Sequence, residues 1–166
     1  MVVLAWPELT IAEVATASGE LSFPYIPGFL SFREMPLAIK AFEKLNITPD
    51  LVMVDGQGIA HPRRFGIASH LGLFLNLPTI GCAKSHLIGE YEMPASASGS
   101  YTYITDKDET IGAVVRTKDR VKPVFVSIGS RISLDDAIKW TQSTCQGFRL
   151  PEPTRLAHLA AGGNLK

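Results

Sequence analysis

Cysteine is nearly absent from this sequence, and the two that occur, Cys82 and Cys145, stand far apart without ligand-like neighbours. That excludes a disulfide framework or a zinc-finger type of metal site, and it suits free thiols in a reducing cytoplasm, the location expected for the chain. Net charge is absent as well: 16 Lys and Arg balance 16 Asp and Glu. A protein that coats nucleic acid by charge alone carries a basic excess, so any surface for a polyanion must come from local clustering. No stretch approaches the roughly 20 uninterrupted apolar residues that span a bilayer, and MVVLAWPELT has neither a basic start nor a long apolar segment. Neither membrane attachment nor export is expected. Gly56 and Gly58 are followed by His61 where the third glycine of a dinucleotide fingerprint should stand, and no GK[ST] is present for a phosphate loop.

What is present is a chain of 166 residues, 46% apolar and 19% charged, which is enough for one domain with a real core and too short for two of ordinary size. Residues 1–166 are therefore read as one domain. Val2 to Ala5 and Leu9 to Val14 read as strands interrupted at Pro7. The run LSFPYIPGFLSFRE, with Pro24, Pro27 and Gly28 among aromatics, reads as a rigid loop. Apolar residues at Leu37, Ala38, Ala41, Phe42 and Leu45 predict a helix over 36–45, with Pro36 in its first turn. Leu51 to Val54 is a short continuous apolar run, expected to be a central strand covered on both faces. A helix over 66–75 and a strand over 79–83 follow, and strand, helix, strand implies a parallel pair with a crossover. Three more strands are expected at 101–105, 111–116 and 124–128, then a helix capped by Ser133 and a terminal helix from Thr154. No repeat is visible, and only Ala95 to Ser100 is low in complexity.

The chemistry concentrates in DGQGIAHPRRFG, which opens at Asp55 on the carboxyl end of an apolar strand. Ligands of open α/β sheets collect beyond such ends, and a carboxylate held there on rigid backbone suits a hard divalent cation. Gly56 and Gly58 would let backbone approach a flat ligand. His61, Arg63 and Arg64 are candidates to grip phosphate. On spacing alone, a tight turn with a solvated carboxylate and an exposed arginine pair explains the segment equally well. Glu34 by itself is a first-turn carboxylate of the helix at Pro36; beside Asp55 it completes the pair that phosphodiester hydrolysis with a metal requires. His158 is a candidate third ligand or proton carrier, although a single helical histidine is more often structural. Lys84, after a short apolar strand, is either a solvated side chain or a cation placed to neutralise charge on a phosphate. Tyr25 is presented by a stiff loop, ready to stack on a base, or else to cap the core with Phe23.

The segments FPYIPGFLSFRE, VDGQGIAHPRRFGIASHLGL, PTIGCAKS and LPEPTRLAH together resemble those of the endonuclease V family, in the same order and with similar spacing. The resemblance runs from near the N-terminus to His158. It implies an α/β fold of the RNase H-like type, a mixed sheet flanked by helices. It also implies Mg2+-dependent (or Mn2+-dependent) cleavage of DNA, or RNA, at the second phosphodiester bond on the 3′ side of inosine or another deaminated base. By position, Asp55 and Glu34 resemble the metal-binding carboxylates, His158 a further active-site and metal-site residue, and Lys84 the lysine beside the scissile phosphate. Tyr25, set in Pro24-Tyr25-Ile26-Pro27, is similar to the wedge that fills the gap left by a flipped base. Leu30, Gly56, Gly58, Gly66, Ile67, Gly81 and Leu87 would line the base pocket, with His61 and Arg63 beside it. Two positions depart. The family's first catalytic aspartate lies on an initial strand of GVD type, upstream of the strand that matches Val2 to Ala5, and the 166 residues contain no such strand. Ser130 stands where a histidine is expected after the glycine. The chain is thus expected to be N-terminally incomplete, its activity impaired by the lost ligand, with a module that binds inosine-containing strands without cutting as the alternative. An unpaired sheet edge would then favour a homodimer.

Overall fold

The computed structural model describes residues 1–19 and 30–165, excluding the side chains of Leu30 and Phe32. Elements alternate from the start: β1 (Val2–Ala5), β2 (Thr10–Val14), α1 (Leu30–Phe42), β3 (Val52–Val54), α2 (Ile67–Leu75), β4 (Thr79–Ala83), β5 (Tyr101–Asp106), β6 (Glu109–Val115), β7 (Val124–Ser130), α3 (Leu134–Ser143) and α4 (Glu152–Ala161). β1 and β2 pair antiparallel across the turn at Pro7 and form a small sheet of their own. The main sheet runs in the order β3-β4-β7-β6-β5. β3 and β4 are parallel, as the crossover through α2 requires, and β5, β6 and β7 form an antiparallel meander that joins β4 through β7. This is the expected mixed sheet flanked by helices.

Side-chain alternation on β4 explains why all five of its residues are buried. Ile80 and Cys82 point to one face, where they pack with Val115, Val124, Val126 and the α3 residues Ala137 and Ile138. Thr79 points to the other face, where its hydroxyl donates to the carbonyl of Ala68 on α2 at 2.7 Å. The sheet is therefore sandwiched between α2 and α3. Ser133 caps α3 as expected, its Oγ accepting the amide of Asp136 at 3.1 Å.

Two expectations need correction. β3 is an edge strand among the described residues, partly exposed along its length, so its apolar run reflects cover on its faces and not a central place in the sheet. The helix expected to start at Pro36 begins at Leu30, with Pro36 inside it. A proline in a helix interior costs one backbone hydrogen bond, and here burial of Met35 and Ala41 outweighs that loss. Glu34 consequently stands past the first turn and is not a dipole-capping carboxylate. α4 also starts two residues before the expected Thr154, at Glu152.

Candidate active site

The parallel register that pairs Val54 with Gly81 places the carboxyl ends of β3 and β4 side by side. Asp55 is the first residue beyond β3 and Lys84 the first beyond β4; the register sets Asp55 beside Cys82, two residues before Lys84, within reach of the long lysine side chain. The Lys84 ammonium donates to Asp55 Oδ2 at 2.5 Å, with both side chains 37% exposed. Water screens a pair of that exposure, which leaves it worth about 1 kcal/mol or less, so it orients the carboxylate more than it stabilises the fold.

Glu34 reaches the same region from α1. Burial of its carboxyl raises its pKa above the ordinary 4.5 and the nearby Asp55 raises it further, while Arg33 opposes both. Asp55, Glu34 and His158 all line one open cleft of 980 Å³, whose walls include Val2 and Val3 of β1, Leu37 and Ala41 of α1, β3, and Pro153 and Ala157 of α4. His158 is exposed near the end of α4. Two carboxylates on different elements suit a hard divalent cation, since Mg2+ takes one or two carboxylates and completes its shell with water and phosphate. Among the described residues, no group of three or more His, Cys, Asp or Glu side chains close enough to hold an ion is present.

Beyond Asp55 the chain is stitched to the sheet by main-chain bonds. The Gly58 amide donates to Ser127 Oγ at 2.8 Å and the Ile59 amide to the Ile128 carbonyl at 2.8 Å. Gly66 and Ala68 donate back to the carbonyls of Gly58 and Gln57 at 2.9 and 3.0 Å. The glycines are required by these contacts. A Cβ on Gly58 would lie 2.0 Å from the Ile128 oxygen, one on Gly81 2.4 Å from the Gly58 nitrogen, one on Gly66 2.3 Å from the Gln57 oxygen, and one on Gly56 2.5 Å from an Ile67 methyl. The expectation that Gly56 and Gly58 make room for a flat ligand is corrected to this extent: the side that a Cβ would occupy is filled by protein. Ile67 is itself buried and also lines the cleft, whereas Leu87 is 49% exposed.

His61 is buried, its Nδ1 accepts the Arg63 amide at 3.3 Å, and burial, with Arg63 in support, lowers its pKa below 6.5. The ring is neutral at neutral pH and carries its proton on Nε2. Arg63 is exposed. Arg64, a candidate phosphate grip by sequence, is used elsewhere: its guanidinium binds Asp106 Oδ2 at 2.7 Å and Glu109 Oε2 at 3.0 Å, latching the loop to the β5–β6 hairpin. Pro24, Tyr25, Ile26 and Pro27 lie outside the described residues, as does the Leu30 side chain. Sequence reasoning missed Ser127 and Arg149. Ser127 left one signal, a buried polar residue inside the apolar run of β7. Arg149, which donates to the Lys84 carbonyl at 2.7 Å, left none.

A mixed sheet between helices is shared with solved structures of RNase H-like endonucleases. The crystal structure of endonuclease V from Bacillus subtilis superimposes with a TM-score of 0.94 at 38% identity, covering 98% of this chain and 70% of that one. The family model described as Endonuclease V matches residues 1–159, and the chain belongs to the endonuclease V family. It is therefore an endonuclease, a hydrolase, by family. Endonuclease V of Dehalococcoides mccartyi is 54% identical over 161 residues, 97% of this chain and 72% of the relative. The endonuclease V of Ciona intestinalis, solved in complex with a 24mer DNA containing an inosine followed by a ribo-adenosine, matches with a TM-score of 0.83 at 31% identity, covering 99% of this chain and 77% of that one.

Proposed function

We propose that this chain is a divalent-cation-dependent endonuclease that nicks DNA, or RNA, carrying inosine or another deaminated base, at the second phosphodiester bond on its 3′ side. The observation that carries the reading is the convergence of Asp55, Lys84 and Glu34 at one sheet end, beside an open cleft, in a chain of this family. The complex of the Ciona relative with inosine-containing DNA supports the substrate class. Mg2+ or Mn2+ held by Asp55 and Glu34, with His158 as a further ligand or proton carrier, would supply Lewis-acid polarisation of the phosphoryl oxygen and a water of lowered pKa.

The residues of the chain do the rest. Asp55 stands just beyond the end of β3, and Lys84 holds its carboxylate in one orientation. When a phosphate arrives, the Lys84 ammonium is within reach to share its charge between Asp55 and a phosphate oxygen. Ile67, Gly81 and the loop from Gly56 to Gly66 form the wall against which the flipped base would rest, with Leu87, His61 and Arg63 at its margin. Tyr25 and its flanking Pro24, Ile26 and Pro27 would fill the vacated stack.

The decisive assay is nicking of an inosine-containing duplex against an undamaged duplex, with Mg2+ or Mn2+ and with chelator. Cation-dependent nicks at the second bond 3′ to inosine are expected. Selective binding without cutting would replace the nuclease by an inosine-binding module, and equal treatment of both duplexes would remove the substrate assignment. Among the described residues, β1, β2, β3 and β5 each have a single strand partner, so homodimerisation through an unpaired sheet edge belongs to the same proposal. Sedimentation equilibrium tests it, and a monomer across the micromolar range would refute it.

A further inference from the structure

The ladder between β4 and β7 ends at the pair Ala83 and Phe125. One step beyond, the two strands turn main-chain carbonyls toward a single guanidinium. Arg149 Nη2 donates to the Lys84 carbonyl at 2.7 Å and to the Pro123 carbonyl at 2.9 Å, and its Nε donates to the Lys122 carbonyl at 2.9 Å. A planar fork with several fixed donors can serve three separated acceptors at once, whereas the three donors of lysine radiate from a single nitrogen and glutamine has only two. Arg149 is itself anchored, since the buried Thr117 hydroxyl donates to its carbonyl at 2.5 Å and the next residues are Leu150, packed on the main core, and the buried Pro151 that caps α4.

We infer that Arg149 is a positioning residue for Lys84: it replaces the missing ladder bonds at the end of β4 and so fixes the backbone from which the ammonium reaches Asp55. The inference rests on the proposed role of Lys84 at the phosphate. It also ties Lys84 to the segment that leads into α4 and His158, so that both sides of the cleft share one fastening. Without it, the end of β4 has no ladder partner at Lys84, and the lysine can leave Asp55 for solvent. A displacement of about 1 Å at such a group costs on the order of 100-fold in rate.

The test compares Arg149→Gln and Arg149→Lys with the parent chain, using NMR of lysine side chains labelled at the ε-carbon, with Lys84→Met to assign the signal. The Lys84 signal of Arg149→Gln is expected to move toward the chemical shift of a solvent-exposed lysine side chain, with Arg149→Lys intermediate. In the nicking assay, kcat is expected to fall by about 10-fold to 100-fold with KM nearly unchanged, and Arg149→Gln is expected to add nothing in the Lys84→Met background. An unchanged Lys84 signal in a folded Arg149 variant, or losses that multiply in the double variant, would overturn the inference. If Arg149→Gln does not fold, Arg149→Lys carries the comparison. If the parent chain cuts nothing, the proposed function fails while the NMR result still decides the positioning role.

Discussion

Replacing Gly58 by alanine separates two reasons for a glycine in this loop. The added Cβ would lie 2.0 Å from the Ile128 oxygen and 2.6 Å from its carbonyl carbon, atoms of a sheet backbone that cannot rotate away. The loop must lift off β7. Overpacking of this kind costs about 1–3 kcal/mol. Lifting also weakens the bonds from Gly58 to Ser127 and from Ile59 to Ile128, at about 0.5–1.5 kcal/mol each. A loss of roughly 4 kcal/mol follows, which for a chain of this size lowers Tm by about 8–16 °C. Asp55 lies three residues upstream, so the carboxylate moves with the loop and nicking should fall together with stability. Urea unfolding and nicking of an inosine duplex, on the same preparations, provide the two readings. A Gly58→Ala protein with unchanged Tm but weakened DNA binding would refute the packing argument and restore close ligand approach as the reason for the glycine.

Asp55→Asn should abolish nicking by 100-fold or more, yet change unfolding free energy by less than about 1 kcal/mol because its pair with Lys84 is solvent-screened; a large fall in stability would show the pair to be structural. Glu34 has a raised pKa, so protons compete with a cation at a higher pH than they would for an ordinary carboxylate, and affinity is lost as pH falls through that raised value. Mn2+ binding followed by electron paramagnetic resonance should therefore weaken as pH drops from 7 toward 4.5, and Glu34→Gln should bind more weakly with a flatter pH response. His61 has the opposite shift. Its folded pKa lies below 6.5, so the stability it contributes is complete above 6.5 and is lost as pH falls toward the lowered value. His61→Asn should accordingly show a smaller loss of urea midpoint between pH 7 and pH 5 than the parent; an equal or larger loss would place the titrating group elsewhere.

The order of strands and helices, the cap at Ser133 and the parallel crossover were legible in the sequence because each rests on local periodicity or on a short-range bond. The resemblance of four ordered segments identified the family for the same reason, since motifs are contiguous. Glu34 and Asp55 were legible as a candidate pair, and the structure adds that α1 and β3 present both to one cleft. The sequence likewise marked Gly58 and Arg64 as special while leaving the reason open. Only the tertiary structure decided that Gly58 is a close backbone crossing against β7 and that Arg64 serves Asp106 and Glu109, not a phosphate. Arg149 is the clearest case. It lies 65 residues from the lysine whose carbonyl it holds, and a fork that closes the ends of two strands leaves no periodic trace in the chain that supplies it.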